Sequence, residues 1–327
     1  MDTAVSKTSG HILSRKGFMI AAALLCCFLW GSAFVSIPVG YRLLSLDTED
    51  IFQISLFAGT RFFIASMMIF AYAFFTGKSM RIDLGQLGKV AVLGLMQTFG
   101  QYVFFFLSLR TIHPANGAIL SSMGVFFTII LAHFIYKSDR LTPKKTMGLF
   151  IGLTGIFILN GGTGGGFSLT GEGFMMTSSL IGAISGLYTK RIAKSLSPYV
   201  ITGYQLLLGS ILLMSLGAAF AQDVQFSITL FSGSIVLYLS FISAMAFTLW
   251  SGLLKHNPVS RISIYKFSIP LFGVFLSFVF LREGLDLGPV FFALLFVAAG
   301  IIMIDLETHA KGEHPAKKDL RPKQAHG

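Results

Sequence analysis

Acid is what this chain has least of. Only 14 of its 327 residues are Asp or Glu, against 25 Lys and Arg, and charged residues together make up 12%. That is about half of what a soluble domain carries. The acids fall in tails, loops and helix ends, so none stands inside a long apolar run. This argues against a proton-coupled exporter of lipophilic cations, which wants a carboxylate within the membrane. Cysteine is nearly absent too. Cys26 and Cys27 are neighbours, pointing to different sides of a helix, and two such residues make neither a bridge nor a metal site. They read as packing residues. His113, His133 and His256 are scattered, with no HExxH, no GxSxG and no acid pair. No catalytic residue, metal or cofactor is therefore expected, and the chain does not read as an enzyme. The net charge of +11 lacks the aromatic-interleaved basic face of a nucleic-acid binder.

What the chain has is apolar length. Hydrophobic residues make up 54% and Phe alone supplies 34. A membrane helix needs about 20 predominantly apolar residues. Ten runs approach or exceed that: Phe18–Leu43, Ile51–Thr76, Leu87–Leu109, Ala115–Tyr136, Met147–Gly161, Gly173–Thr189, Tyr199–Ala221, Ile228–Leu253, Val259–Leu281 and Pro289–Ile304. The fifth and sixth are the shortest and richest in glycine. None shows the alternation of a barrel strand. Lys7, Arg15 and Lys16 precede the first run as in a signal peptide, but that run is too long and lacks a small-x-small cleavage site. Asp47 and Thr48 are the expected caps of the second helix, and Ser197-Pro198 of the seventh.

With ten spans and both tails inside, nineteen basic residues fall on the inner side. Three, Arg42, Arg110 and Arg282, fall outside. Basic residues favour the cytoplasmic side, which fixes the orientation. The chain also repeats itself. Arg61 and Gln205, Pro114 and Pro258, and Asp139 and Glu283 are each 144 residues apart. Five helices per half is an odd number, so the second half enters from the opposite side, as in the inverted repeats of secondary transporters. The expected divisions are a cytoplasmic tail (1–17), a first repeat (18–161), a Gly-rich link (162–172), a second repeat (173–305) and a basic cytoplasmic tail (306–327). The glycine run at the link lacks the lysine of a phosphate loop and reads as a flexible connection.

Several stretches carry a resemblance: FLWGSAF (Phe28–Phe34), TRFFIAS around Arg61, SLRTIHPANGA, LKHNPVS and LREGLDLGP (Leu281–Pro289). Together with two inverted fives, the chain resembles the EamA-type transporters of the drug/metabolite transporter superfamily. That resemblance implies an all-α membrane protein of ten helices, with helices 1–4 and 6–9 around a central cavity and 5 and 10 peripheral. It implies transport of small metabolites, often amino acids and commonly outward. The family usually has an arginine near Arg61, which favours a structural role there. Lys266 departs from the apolar or small residue the resemblance leads one to expect.

Lys266 is the residue the reading turns on. It lies eight residues past Pro258, roughly 12 Å along a helix, and Pro270 cannot bond its carbonyl. A cation at that depth costs about 2.5–3.5 kcal/mol or more and usually has a use. No acid lies at its level, so the missing charge is assigned to a substrate. Tyr265, Trp30, Gln101, Asn116, Tyr188 and Trp250 are the other expected substrate contacts. Arg61 and Gln205 are structural or substrate-binding. Gly148 and Gly152 serve packing within the bundle or a homodimer face. The partners are then a small-molecule substrate and the lipid bilayer, with no nucleic acid.

The expected function is export of a small anionic or zwitterionic metabolite such as an amino acid, by alternating access, across the cell inner membrane. The rivals are a lipid-phosphate carrier translocase and a sensor or scaffold that binds without moving its ligand. Single cysteines placed at Lys144 and Asp223 test the layout. Lys144 should label only from the cytoplasm and Asp223 only from outside; the reverse pattern overturns it.

Overall fold

The computed structural model describes residues 12–112, 114–137, 139–159, 167–222, 226–227, 229–281 and 287–312, leaving out the side chains of 114–116, 118–119, 159, 281, 287 and 308–312. Of the Gly-rich link expected at 162–172, residues 162–166 lie outside the described residues and Leu169–Gly173 form a π-helical turn; the basic C-terminal tail lies outside them apart from the end of the last helix. All regular structure among the described residues is helical. A backbone in hydrocarbon must bond to itself, and a helix does so within one segment.

The helices are α1 (Lys16–Leu43), α2 (Ile51–Phe75), α3 (Leu84–Leu93), α4 (Gln101–Leu109), α5 (Pro114–Ile135), α6 (Pro143–Leu159), α7 (Phe174–Ile192), α8 (Pro198–Phe220), α9 (Leu230–His256), α10 (Val259–Ser263), α11 (Ser268–Leu281) and α12 (Leu287–Gly312). A π-helical stretch, Gly94–Gly100, joins α3 to α4 in one rod, and a 3-10 turn, Ile264–Phe267, joins α10 to α11. Among the described residues, seven helices are long and apolar enough to cross a membrane. They are α1, α2, the α3–α4 rod, α8, α9, the α10–α11 rod and α12. The apolar part of α5, Leu120–Ile135, is shorter, and α6 and α7 do not reach the mark either.

Local chemistry sets the ends. Ser197 caps α8 by accepting the Val200 N–H, and Pro198 opens the helix, as the sequence leads one to expect. At α2 the cap is Asp50, which accepts the Phe52 N–H at 2.8 Å. Asp47 instead takes the Glu49 N–H at 2.9 Å within the preceding turn. Sequence position alone does not separate these two acids.

The helices approach closely through small residues. Gly59 faces Ser210 and Met214, Gly217 faces Phe52 and Leu56, and Ser66 donates to the Gly203 carbonyl at 2.8 Å. As α2 advances, α8 retreats: the pair is antiparallel. The same holds for α6 and α12, where Gly148 meets Gly300 and Ile304 while Gly155 meets Ala293 and Val297. Gly152 lies against Phe267, so the Gly148–Gly152 face is filled from within the chain.

The remaining contacts come in matched sets. Helix α1 runs parallel to α11 (Cys27 with Tyr265, Gly31 with Phe272) and antiparallel to α9 (Cys26 with Ala246, Gly40 with Ile235). Helix α7 runs parallel to α5 (Ser179 with Gly124, Leu187 with Tyr136) and antiparallel to α4 (Ser178 with Gln101, Gly171 with Ser108). Exchanging α1 for α7, α2 for α8, the α3–α4 rod for α9, α5 for the α10–α11 rod and α6 for α12 maps each pairing onto itself or another.

A Cβ at Gly300 would lie 2.6 Å from the Gly148 carbonyl oxygen and 3.0 Å from the Gly152 nitrogen. Backbone cannot step aside, so Gly300→Ala should cost about 1–3 kcal/mol through overpacking. Gly233→Ala, with nothing within 4 Å, should be neutral or stabilising. Thermal unfolding in detergent separates the two; equal melting temperatures would contradict the close approach.

Candidate functional site

Lys266 sits on the 3-10 turn between α10 and α11. Pro270 offers no N–H to its carbonyl, which accepts instead from Ser268. The ammonium stands 5.1 Å from the ring centroid of Trp250 and 5.9 Å from that of Trp30. These two indoles meet edge to face at 5.1 Å. Trp30 is about 21 Å along α1 from Lys16, well inside the bundle. Among the described residues no carboxylate or hydrogen-bond acceptor pairs with Lys266. Indole faces repay a cation about 0.5–2 kcal/mol, but they bring no counter-charge. Lys266 is itself left partly open, so an arriving anion could reach the ammonium.

Aromatic rings continue from this point to the other deep cation. Trp30 meets Phe247 at 5.6 Å, Phe247 meets Phe62 at 6.3 Å, and Phe62 meets Tyr102 at 4.9 Å. The Arg61 guanidinium lies 4.4 Å from the Phe62 ring and 5.9 Å from that of Tyr102. Arg61 is buried and its Nε has no hydrogen-bond partner; the same is true of Gln205 and its Oε1.

The structure thus brings Lys266, Trp30 and Trp250 together and ties Arg61 to them through Phe247 and Phe62. It places Tyr265 elsewhere, buried toward a groove between α1, α11 and α12. The Tyr265 carbonyl accepts from the Cys27 thiol at 3.2 Å. Gln101 lies against Gly182 of α7. Tyr188 packs on the cluster of Val90, Leu93 and Ile201. The Asn116 side chain lies outside the described residues. Phe62 and Phe247 went unseen in the sequence, because nothing distinguishes them from the other phenylalanines.

One end of the bundle is knit by buried charge that the sequence did not reveal. Lys145 donates to Asp139 Oδ1 at 2.7 Å and to Ser260 Oγ at 2.9 Å, and the Ser260 N–H donates to Asp139 Oδ2 at 2.9 Å. The Ser260 hydroxyl also donates to Asp139. Arg261 Nε pairs with Asp305 at 2.7 Å, and Lys16 reaches the same carboxylate at 3.2 Å. Asn257 Nδ2 donates to the Leu13 carbonyl at 2.9 Å, and Lys190 donates to the Asn257 carbonyl. The start of α10 is therefore tied to α1, α6, α7 and α12. Burial by itself would raise the Asp139 carboxyl, but Lys145 and Ser260 outweigh it and hold it below the usual carboxylate value. The stability it contributes is present above that usual value and lost as pH falls through the depressed one. At the other end of the molecule lies a polar depression of about 930 Å³, lined by Asp47, Glu49, Asp50, Gln53, Arg110 and Gln222.

Long apolar helices closed around a deep cation and its aromatic rings define a multi-pass membrane protein. The model of the EamA-like transporter family matches residues 17–161 and again 169–305. The chain belongs to that family, and it is a transporter, not an enzyme. It is 28% identical to a protein of Salmonella typhimurium named as a probable amino-acid metabolite efflux pump, over 84% of this chain and 89% of that one. It is 25% identical to an uncharacterized transporter of Archaeoglobus fulgidus, over 90% of this chain and 99% of the other. A solved crystal structure superposes with a TM-score of 0.73, covering 89% of this chain and 98% of its own, at 19% identity. That likeness speaks for the fold alone.

Asp139→Asn leaves the Lys145 ammonium buried without its counter-charge and should destabilise the protein by about 3–5 kcal/mol. Adding Lys145→Met should recover most of the loss. Denaturation of the two variants against the parent measures this, and an unchanged single variant would show that the pair does not hold this end.

Proposed function

We propose that the protein is an inner-membrane secondary transporter that exports a small anionic or zwitterionic metabolite, such as an amino acid, by alternating access. Lys266 pairs with the negative group of the substrate, and Trp30 and Trp250 pack against its body. The observation that carries this reading is a deep ammonium held by two indoles with no protein anion beside it among the described residues. An uncompensated cation deep in a membrane bundle is costly, and a substrate carboxylate or phosphate removes the cost. The Salmonella relative, named as a probable amino-acid metabolite efflux pump, supports the direction and the substrate class.

Ten membrane-crossing helices in two inverted five-helix repeats, with both termini cytoplasmic, complete the proposal. The antiparallel pairings of α2 with α8 and α6 with α12 support the inversion, since an odd number of crossings reverses every helix of the second half. The parallel pairings of α1 with α11 and α5 with α7 agree with ten alternating passes. The first repeat is residues 18–161 and the second 173–305. In an alternating cycle the ion pairs around Asp139 and Asp305 hold the cytoplasmic end shut and must part when it opens.

Flux of amino acids and small organic anions in proteoliposomes of the purified protein tests the reading. Lys266→Met keeps the apolar stem and removes the charge. It should lower flux about ten- to a hundredfold, the worth of one charge-assisted hydrogen bond at about 1.5–3 kcal/mol. Protein yield should hold, and Lys266→Arg should keep part of the flux. Unchanged flux in Lys266→Met would remove Lys266 from the site. Binding without flux in the parent would make the protein a sensor.

A further inference from the structure

On the far side of the 3-10 turn from Lys266 runs a groove of about 660 Å³ between α1, α11 and α12. Its walls are apolar, among them Leu24, Leu271, Phe275, Leu294 and Ala298. Along α12 it extends from Val290 to Leu306, about 24 Å of helix, which is room for one extended acyl chain. Lys16 and Asp305, paired with each other, line one end of it.

That end is not charge-balanced. Lys16 and Arg261 share the single carboxylate of Asp305, and the exposed Arg15 adjoins Lys16. The Lys16 side chain is 47% exposed. Arg261 is 8% exposed, yet its Nη2 has no hydrogen-bond partner. That nitrogen is buried and Arg261 does not line the groove, but by holding the Asp305 carboxylate it leaves Lys16 only a share of that charge, so the end of the groove carries surplus positive charge.

We propose that this groove binds one anionic phospholipid, its acyl chain along α12 and its phosphate against Lys16. Lipid tails are as apolar as the groove, so the chain alone gains little over bulk membrane. Selection rests on the head group. Basic residues at the membrane surface favour anionic lipids, and here the half-exposed Lys16 stands at the mouth of the groove with the exposed Arg15 next to it in the chain. The bound chain would lie against Tyr265 and Ser268, bracing the turn that carries Lys266. The site is separate from the substrate seat, so its test does not depend on transport.

Native mass spectrometry of the full-length protein in detergent decides the matter, using phosphatidylglycerol and phosphatidylethanolamine with identical acyl chains. One phosphatidylglycerol should be retained at roughly tenfold lower concentration than phosphatidylethanolamine, as one charge-assisted contact implies. Lys16→Gln should shrink that preference. Ala298→Trp and Leu294→Trp, both at exposed positions of α12, should block the chain and lose the lipid, with melting temperatures near that of the parent. Equal retention of the two lipids by the parent overturns the proposal. So does unchanged retention in the folded tryptophan variants.

Discussion

In hydrocarbon no water is available to a peptide group, so each N–H and C=O must be bonded within the protein. That constraint makes the chain helical, and it makes each interruption of a helix a place that other parts must cover. The interruption at Ile264–Phe267 is covered well. Ile264, Tyr265 and Phe267 are buried, Cys27 bonds the Tyr265 carbonyl, and Gly152 of α6 leaves room for the Phe267 ring. The one residue of the turn left partly open is Lys266. The break and the site are thus one feature: the turn aims an ammonium that an unbroken helix would aim elsewhere.

Buried charge is handled in two opposite ways. At the end of the bundle Asp139, Lys145 and Ser260 satisfy one another, and Asp305 answers Arg261 and Lys16. Such pairs resist the loss of one partner and so act as fastenings. Among the described residues Lys266 and Arg61 lie against aromatic rings, Arg61 also against the Tyr102 hydroxyl, and no carboxylate pairs with either. Electrostatics there is left unfinished, which suits a transporter whose cargo supplies the missing charge and then departs.

Much of the architecture was legible in residue order. Apolar run lengths, the basic asymmetry and the 144-residue spacing need no contacts to be read, because the bilayer enforces length and period on every crossing helix. The stretches around Trp30, Arg61 and Pro258 likewise carry the family resemblance in the order of their residues. Lys266 stood out as a lone cation in an apolar segment with a proline four residues on.

Which residues meet was decided by tertiary structure alone. Sequence reasoning grouped Tyr265, Gln101 and Tyr188 with Lys266. The 3-10 turn sends Tyr265 to the opposite side, and helix rotation sets Gln101 on Gly182 and Tyr188 on the Val90 cluster. In a bundle polar on no single face, periodicity cannot report rotation, since every side of a helix is apolar enough for either lipid or neighbour. Asp139 with Ser260 and Arg261 with Asp305 are far apart in the chain, and only the folded packing of helix ends joins them. The sequence by itself determined the helices, their number of apolar runs and the isolated cation. The contacts that set that cation against two indoles arise from how antiparallel helices with small residues interlock.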